Sequence, residues 1–206
     1  MFGGEGTPRT ARGAMGASHP TQRGGCGVPF MLSRERGRVA AMPMTLAAFT
    51  ATYPVQGPNK PLDTGDQARL ITAADGVISL TRAPFPAPVA GRPGFPDGKH
   101  LWIIRPVALP VILETAPNVQ PPPLQSGCAK HTNLTGAAPA CCGGELWVDV
   151  VSASKLYVNG GSGRYQPRTP SELADAILVF EDLGFDVMSA GWNDENDKPA
   201  RVFRGT

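Results

Sequence analysis

Between Lys130 and Pro167 the chain gathers most of its chemically capable side chains. His131 stands beside Thr132 and Asn133, Glu145 follows Gly143-Gly144, and Asn159-Gly160-Gly161-Ser162-Gly163-Arg164-Tyr165 closes the stretch. A histidine near neutral pH serves as acid, base, metal ligand or hydrogen-bond donor. Thr132 and Asn133 can orient its ring or bind a ligand hydroxyl. A carboxylate after two glycines can reach into a cleft, so Glu145 is placed as a general base or as the holder of a ribose hydroxyl. In the last block, three glycines in four positions leave backbone N–H groups to converge on an anion. Ser162 adds a hydroxyl, Arg164 a bidentate fork and Tyr165 a stacking surface. A helix starting near Thr169 brings its positive end close. The catalytic candidates are therefore His131 and Glu145. The ligand-binding candidates are Thr132, Asn133, Gly161, Ser162, Gly163, Arg164 and Tyr165. Each has a plainer reading: a structural histidine, an edge-strand charge, an ordinary Asn-Gly-Gly hairpin turn.

Other chemistries fit less well. The glycine block lacks the Lys-Ser/Thr of a phosphate-binding P-loop and the strand–turn–helix context of a dinucleotide fingerprint. Gly-Gly-Ser-Gly-Arg is not a hydrolase elbow. Cys128-x-x-His131 with Cys141-Cys142 offers four soft ligands, but structural zinc sites separate the second pair by two to four residues. No metal is expected, and the thiols read as buried packing. A Cys142–His131 nucleophilic pair is conceivable, though no helix start lies there to lower the thiol's pKa.

The elements that must position these groups read as strands with one clear helix. Thr169 fits an N-cap, Pro170 the first helical position and Glu172 a capping box. Leu173, Ala176, Ile177, Phe180 and Leu183 share one face, and Gly184 supplies the stop. Residues 100–114 read as strand–turn–strand, because Pro106 and Pro110 forbid a continuous element. His100 at the start of that segment is expected to cap or face solvent, and Glu114 to end it in water, with a carboxylate pointing into a site as the alternative. Residues 67–81 read as a hairpin turning at Ala74-Asp75-Gly76. Glu145 opens a strand through Leu146-Trp147-Val148, residues 185–188 form another, and 201–203 a last short one. Proline- and glycine-rich loops cover 84–98 and 117–127. Strands before and after a single helix define an α+β domain over 42–206, a mostly antiparallel sheet with the helix packed on one face.

Composition sets the limits. Hydrophobic residues make up 41% of the 206, enough for a core, while 25 Gly and 22 Pro demand many turns. Six Arg against Glu5 and Glu35 give residues 1–41 a net +4, which leaves −2 of the total of +2 for the rest. Residues 1–41 thus read as a disordered Gly/Arg-rich extension, and the body offers no electrostatic case for nucleic acid. No run is long and apolar enough for a membrane span. Residues 39–52 follow Arg-Glu-Arg-Gly-Arg as a signal peptide's apolar region would, but they lie deep in the chain and Pro43 interrupts them. The expected location is cytoplasmic, or outside the cell as a secreted effector.

The order His131-Thr132, Gly144-Glu145 and Ser162-Gly163-Arg164-Tyr165-x-Pro167 before a helix resembles a domain of many bacterial proteins. That domain often reads K-H-[S/T]-x-[F/L/I]-x-x-G, then A/G-G-E, then S-G-[H/R]-Y-x-P. It is distantly similar to plant IQ-motif calmodulin-binding proteins, which carry H-S-S-F, A-A-G and S-G-H-Y-x-P. The likeness spans about residues 99–205 in three short blocks. Arg164 stands where the plant form has histidine, and the chain has no IQ motif, so calmodulin binding is not implied. The bacterial relatives are uncharacterised or sit in effector-like and toxin-like proteins. The resemblance implies that His131, Glu145, Ser162, Arg164 and Tyr165 share one site, and it supplies no reaction and no cofactor. The expected function is an effector-like domain that binds, and is equipped to act on, a phosphate-bearing ligand of nucleotide or ADP-ribose type. The alternative is a non-catalytic module for a protein partner, in which these residues form a structural polar network. Whether the chain is an enzyme stays open between the two.

Overall fold

Hydrophobic alternation on one strand organises the fold. All five residues of β2 (His100–Ile104) are buried. Trp102 and Ile104 pack into one apolar cluster, and Leu101 and Ile103 into another. With side chains pointing alternately to opposite faces, such a strand must be central in a sheet covered on both sides. The computed structural model of the chain describes residues 43–89, 91–115 and 124–203. The extension expected over 1–41, with Cys26, and the Pro-Pro-Pro of the second loop lie outside them.

Around β2 the sheet runs in the order β1 (Ile78–Ser79), β3 (Pro110–Leu113), β2, β4 (Cys142–Val148), β5 (Lys155–Asn159), β6 (Asp186–Ser189). Every neighbouring pair is antiparallel except β5 and β6. That parallel pair is joined by the helix α2 (Pro170–Asp182), the crossover that parallel strands require. A short helix α1 (Leu46–Thr52) precedes the sheet, and a two-stranded ribbon of β7 (Trp192–Asn193) and β8 (Lys198–Pro199) follows it. This is an α+β domain with a mostly antiparallel sheet and one main helix.

The helix forms where its caps demand. The Thr169 hydroxyl accepts from the Glu172 amide, Pro170 starts the helix, and Gly184 takes φ +87° just past its end. Glu172 answers one residue earlier than a standard capping box, accepting from the Arg168 amide at 2.7 Å and from its guanidinium. Leu173, Ala176 and Phe180 join Trp102, Leu146 and Leu156 in the core under one face of the sheet. Each large side chain so buried stabilises the fold by about 1.5–3 kcal/mol. The opposite face is covered by the irregular segment 124–140 and by Tyr165.

Three expectations are corrected. Residues 67–81 do not form a hairpin: 3-10 turns occupy Gly65–Ala68 and Ala73–Asp75, and only Ile78–Ser79 is strand. The Ile71 amide bonds to the Asn133 carbonyl instead of to a neighbouring strand. Residues 201–203 form no strand, and Phe203 packs edge-on against Trp147 and Tyr157, with ring centroids 5.7 Å away in each case. His100 does not face solvent. It is buried, its Nδ1–H donates to the Gly98 carbonyl at 2.8 Å, and its ring meets Phe85 edge-on.

Strand β4 begins three residues before the expected start, and its glycines show why. A Cβ on Gly143 would approach Ile103 Cδ1 and the Trp102 carbonyl to 2.6 Å, and one on Gly144 would collide with the Asn159 carbonyl. The Trp102 indole N–H lies across this close packing and donates to the carbonyls of Glu145 and Asn159. Gly144→Ala is therefore expected to lower stability by about 1–3 kcal/mol or more through overpacking, read as a drop in the denaturant midpoint.

Candidate functional site

The face of the sheet opposite α2 carries a cleft of about 180 Å³. It is lined by Leu101, Glu114, Lys130, His131, Thr132, Glu145, Gly161, Gly163, Arg164 and Arg201. Three blocks far apart in the sequence thus meet at one opening. Register explains part of this. Glu145 pairs with Leu101 on β2 and with Asn159 on β5, which holds its side chain mid-strand on the cleft face. Gly161 gives it room, since a Cβ there would come within 3.0 Å of Glu145 Oε2.

His131 sits in a 3-10 turn (His131–Leu134) in the segment that covers this face. Its Nε2–H donates to the Gly144 carbonyl at 2.8 Å, which fixes the tautomer and leaves Nδ1 as the accepting nitrogen. Burial holds the ring's pKa below the ordinary imidazole value, against the opposing pull of the Gly144 bond and the nearby Glu145 carboxylate. His131 is thus a neutral ring with a lone pair on Nδ1. Thr132 beside it is fully buried, and its Oγ1 bonds to no protein group. Among the described residues it is the one buried side-chain oxygen or nitrogen so placed.

Charge in the cleft is largely paired. Lys99 Nζ bridges two carboxylates, 2.7 Å from Glu114 Oε2 and 3.4 Å from Glu145 Oε1. Burial works against its charge, but the two carboxylates prevail and hold its pKa above the usual lysine value. Glu145 Oε2 also accepts from Asn159 Nδ2 at 3.1 Å. Arg164 donates to the Pro61 carbonyl and to Asp63 Oδ2, both at 2.9 Å. The same contact lowers the Asp63 pKa. Among the described residues Lys130 Nζ has only the Cys128 thiol, at 3.0 Å. The exposed Arg201 forms no hydrogen bond or ion pair with the described residues.

The candidate residues therefore divide. Thr132, His131, Glu145, Gly161, Gly163 and Arg164 line the cleft. Tyr165 is not a stacking surface: it is wholly buried, its hydroxyl shared with Thr135 Oγ1 at 2.9 Å and donated to the Ala138 carbonyl at 3.0 Å. Asn133 holds the loop, accepting from the Lys130 amide and donating to the carbonyls of Asp66 and Arg69. Ser162 Oγ accepts from the amides of Arg164 and Tyr165, while the Gly161 amide goes to Asn159 Oδ1 and the Ser162 amide to the Gly160 carbonyl. The turn's amides are thus mostly committed inside the protein, and it is not the anion-binding nest expected of it.

Four cleft or cleft-side groups escaped the sequence reading. Glu114 reads from sequence as a solvated strand end, and nothing local marks Lys99 and Lys130 beside His100 and His131. Arg201 gave no signal, because Phe203 anchors its segment to Trp147 and Tyr157 across the sheet face. The thiols stand apart from this chemistry. Cys128, Cys141 and Cys142 are free. Cys142 packs in the α2-side core, where burial raises its pKa well above the usual thiol value, so it makes no nucleophilic pair with His131.

Compared with known proteins, the chain matches no family model, no curated protein and no solved structure.

The histidines set a pH dependence with a definite sign. Burial lowers the His100 pKa from 6.5 to about 4. The unfolded chain therefore takes up the proton first as pH falls, and stability present above pH 6.5 is lost through the window down to pH 4. A shift of that size corresponds to about 3 kcal/mol, and His131 adds to it in the same direction. Denaturant midpoints at pH 7 and pH 4.5 should show the fall, and His100→Gln should flatten the slope.

Proposed function

We propose that the cleft binds a small phosphate-bearing ligand, with Arg201, Lys130 and Arg164 holding the anion beside His131 and Glu145. The observation that carries this reading is the meeting, in one opening, of uncommitted cations with a neutral histidine that keeps a free lone pair. Among the described residues Arg201 has no partner and Lys130 only a weak one. Arg164 keeps its two Nη1 hydrogens, because its bonds to the Pro61 carbonyl and to Asp63 use Nε and Nη2. His131 Nδ1 is equipped to accept a proton from a ligand hydroxyl, with Glu145 within electrostatic reach of the imidazolium that would form. The cleft is smaller than the 300–1,000 Å³ typical of sites that enclose a drug-sized ligand. That favours one phosphate with a few neighbouring atoms over a whole enclosed dinucleotide. The reading fits the effector-like class that the three sequence blocks resemble.

A second reading draws on a specific observation. Asn133, Ser162 and Tyr165 are satisfied within the protein, as they would be in a module whose polar network only fixes its loops for a protein partner. Ligand response separates the two. Thermal melts of the wild type with phosphate, pyrophosphate, AMP and ADP-ribose should show stabilisation by at least one compound, about 2.7 kcal/mol at 100 times its Kd. In a domain of this size that is a shift of about 5–10 °C. Arg201→Ala should weaken the response several-fold without lowering the ligand-free melting temperature. A flat panel with folded wild type would rule out the phosphate reading and leave the binding module.

A further inference from the structure

The floor and the mouth of the cleft require different chemistry. Resting on the phosphate-site reading above, the geometry points to a phosphorylated sugar with free hydroxyls, of the pentose phosphate kind, bound hydroxyls inward and phosphate outward.

The floor is rich in acceptors. Thr132 and His131 are its most buried polar members, with Glu145 and Glu114 largely shielded beside them. His131 Nδ1 accepts nothing from the described residues, because Nε2 is the nitrogen engaged with Gly144. The Glu145 oxygens each take one bond, from Lys99 and from Asn159, and a carboxylate oxygen has capacity for more. Two carboxylates and an imidazole lone pair repel a phosphate placed among them. They call for O–H donors.

Thr132 sharpens the requirement. Its hydroxyl is sealed from solvent without a protein partner, an arrangement that destabilises a folded protein. A sugar hydroxyl that displaces the wall covering Thr132 resolves it, since its oxygen can then accept from Thr132 while its hydrogen goes to His131 Nδ1 or a Glu145 oxygen. One hydroxyl thereby answers both kinds of group, and a neighbouring hydroxyl on the same ring can take the remaining carboxylate positions.

The mouth has the opposite character. Arg201 is exposed and unpaired among the described residues, and Lys130 reaches only a thiol. A phosphate there meets cations without facing Glu145 or Glu114 directly. The cleft also gives a nucleobase little to rest on: Leu101 is its one large apolar wall residue, and the Tyr165 ring is inside the core. The recognised unit is thus the sugar phosphate, whether free or as the ribose-phosphate end of a nucleotide sugar.

Calorimetric titrations of the full chain with inorganic phosphate, ribose 5-phosphate, 2-deoxyribose 5-phosphate and ADP-ribose test this, on wild type and on Thr132→Val. Ribose 5-phosphate should bind about tenfold tighter than inorganic phosphate, the difference one net hydrogen bond makes. The deoxy sugar should lose part of that gain. Thr132→Val should melt higher than wild type, having lost the unpaired hydroxyl, yet bind ribose 5-phosphate about tenfold more weakly with phosphate affinity unchanged. ADP-ribose binding at least as tightly as ribose 5-phosphate identifies a nucleotide sugar as the source, and weaker binding identifies a free sugar phosphate. Equal affinity of wild type for phosphate and both sugars overturns the hydroxyl floor while leaving the phosphate site standing. No binding of any phosphate compound to folded wild type overturns both. The deoxy-sugar comparison uses wild type alone, so it decides the matter even if the variant does not fold.

Discussion

The close approach of β4 to its neighbours at Gly143 and Gly144 is the constraint on which the rest of the site depends. Strands β2 and β5 come near enough that a side chain on either residue would strike backbone or a core isoleucine. The Trp102 indole bridges the carbonyls on both sides of this contact, so the packing is hydrogen-bonded as well as tight. Two consequences follow from the same backbone. The Gly144 carbonyl is presented to His131 Nε2–H and decides which ring nitrogen stays free. The next residue, Glu145, is held by its register between Leu101 and Asn159 and projects to the same face. A Gly-Gly-Glu sequence thus sets a tautomer and aims a carboxylate with one piece of geometry.

Charge pairing then decides which groups are available. Lys99 bridges the two carboxylates nearest the buried end and offsets one of their two charges, and Asp63 with the Pro61 carbonyl engages most of Arg164. The uncommitted positive charge lies toward the mouth, at Arg201 and Lys130. In the proposed function, an anionic ligand would meet attraction first and selective hydrogen bonding deeper in. Arg164, the most conspicuous cation in the sequence, turns out to be partly a brace between the glycine turn and residues 61–63.

Much of the architecture was legible because its signals are local. Thr169, Pro170, Glu172 and Gly184 define α2 through groups within a few residues of one another, and the two prolines of 100–114 divide that segment into its two strands. The failures came where a distant partner overrode a local preference. Arg69–Thr72 has the composition of a strand, yet the Asn133 side chain clamps the carbonyls of Asp66 and Arg69, and the Asn133 carbonyl takes the Ile71 amide. The same limit governs the site. Residue types and spacing brought His131, Glu145 and Arg164 to one place. They could not tell a tyrosine that stacks on a ligand from one whose hydroxyl ends on Thr135 and Ala138. Nor could they distinguish a serine that binds an anion from one that caps its own turn. Arg201 was invisible, because its place depends on how Phe203 packs two residues later.

The central claim is that His131 is a neutral Nε2–H imidazole docked on the Gly144 carbonyl, with Nδ1 left as the accepting nitrogen. Nitrogen-15 NMR of the ring through a titration from pH 8 to pH 5 tests it most directly. The account predicts a protonated Nε2 and an unprotonated Nδ1 at neutral pH, with the ring charging below the ordinary histidine pKa of about 6.5. An Nδ1–H tautomer, or a ring that titrates at or above that value, would contradict it.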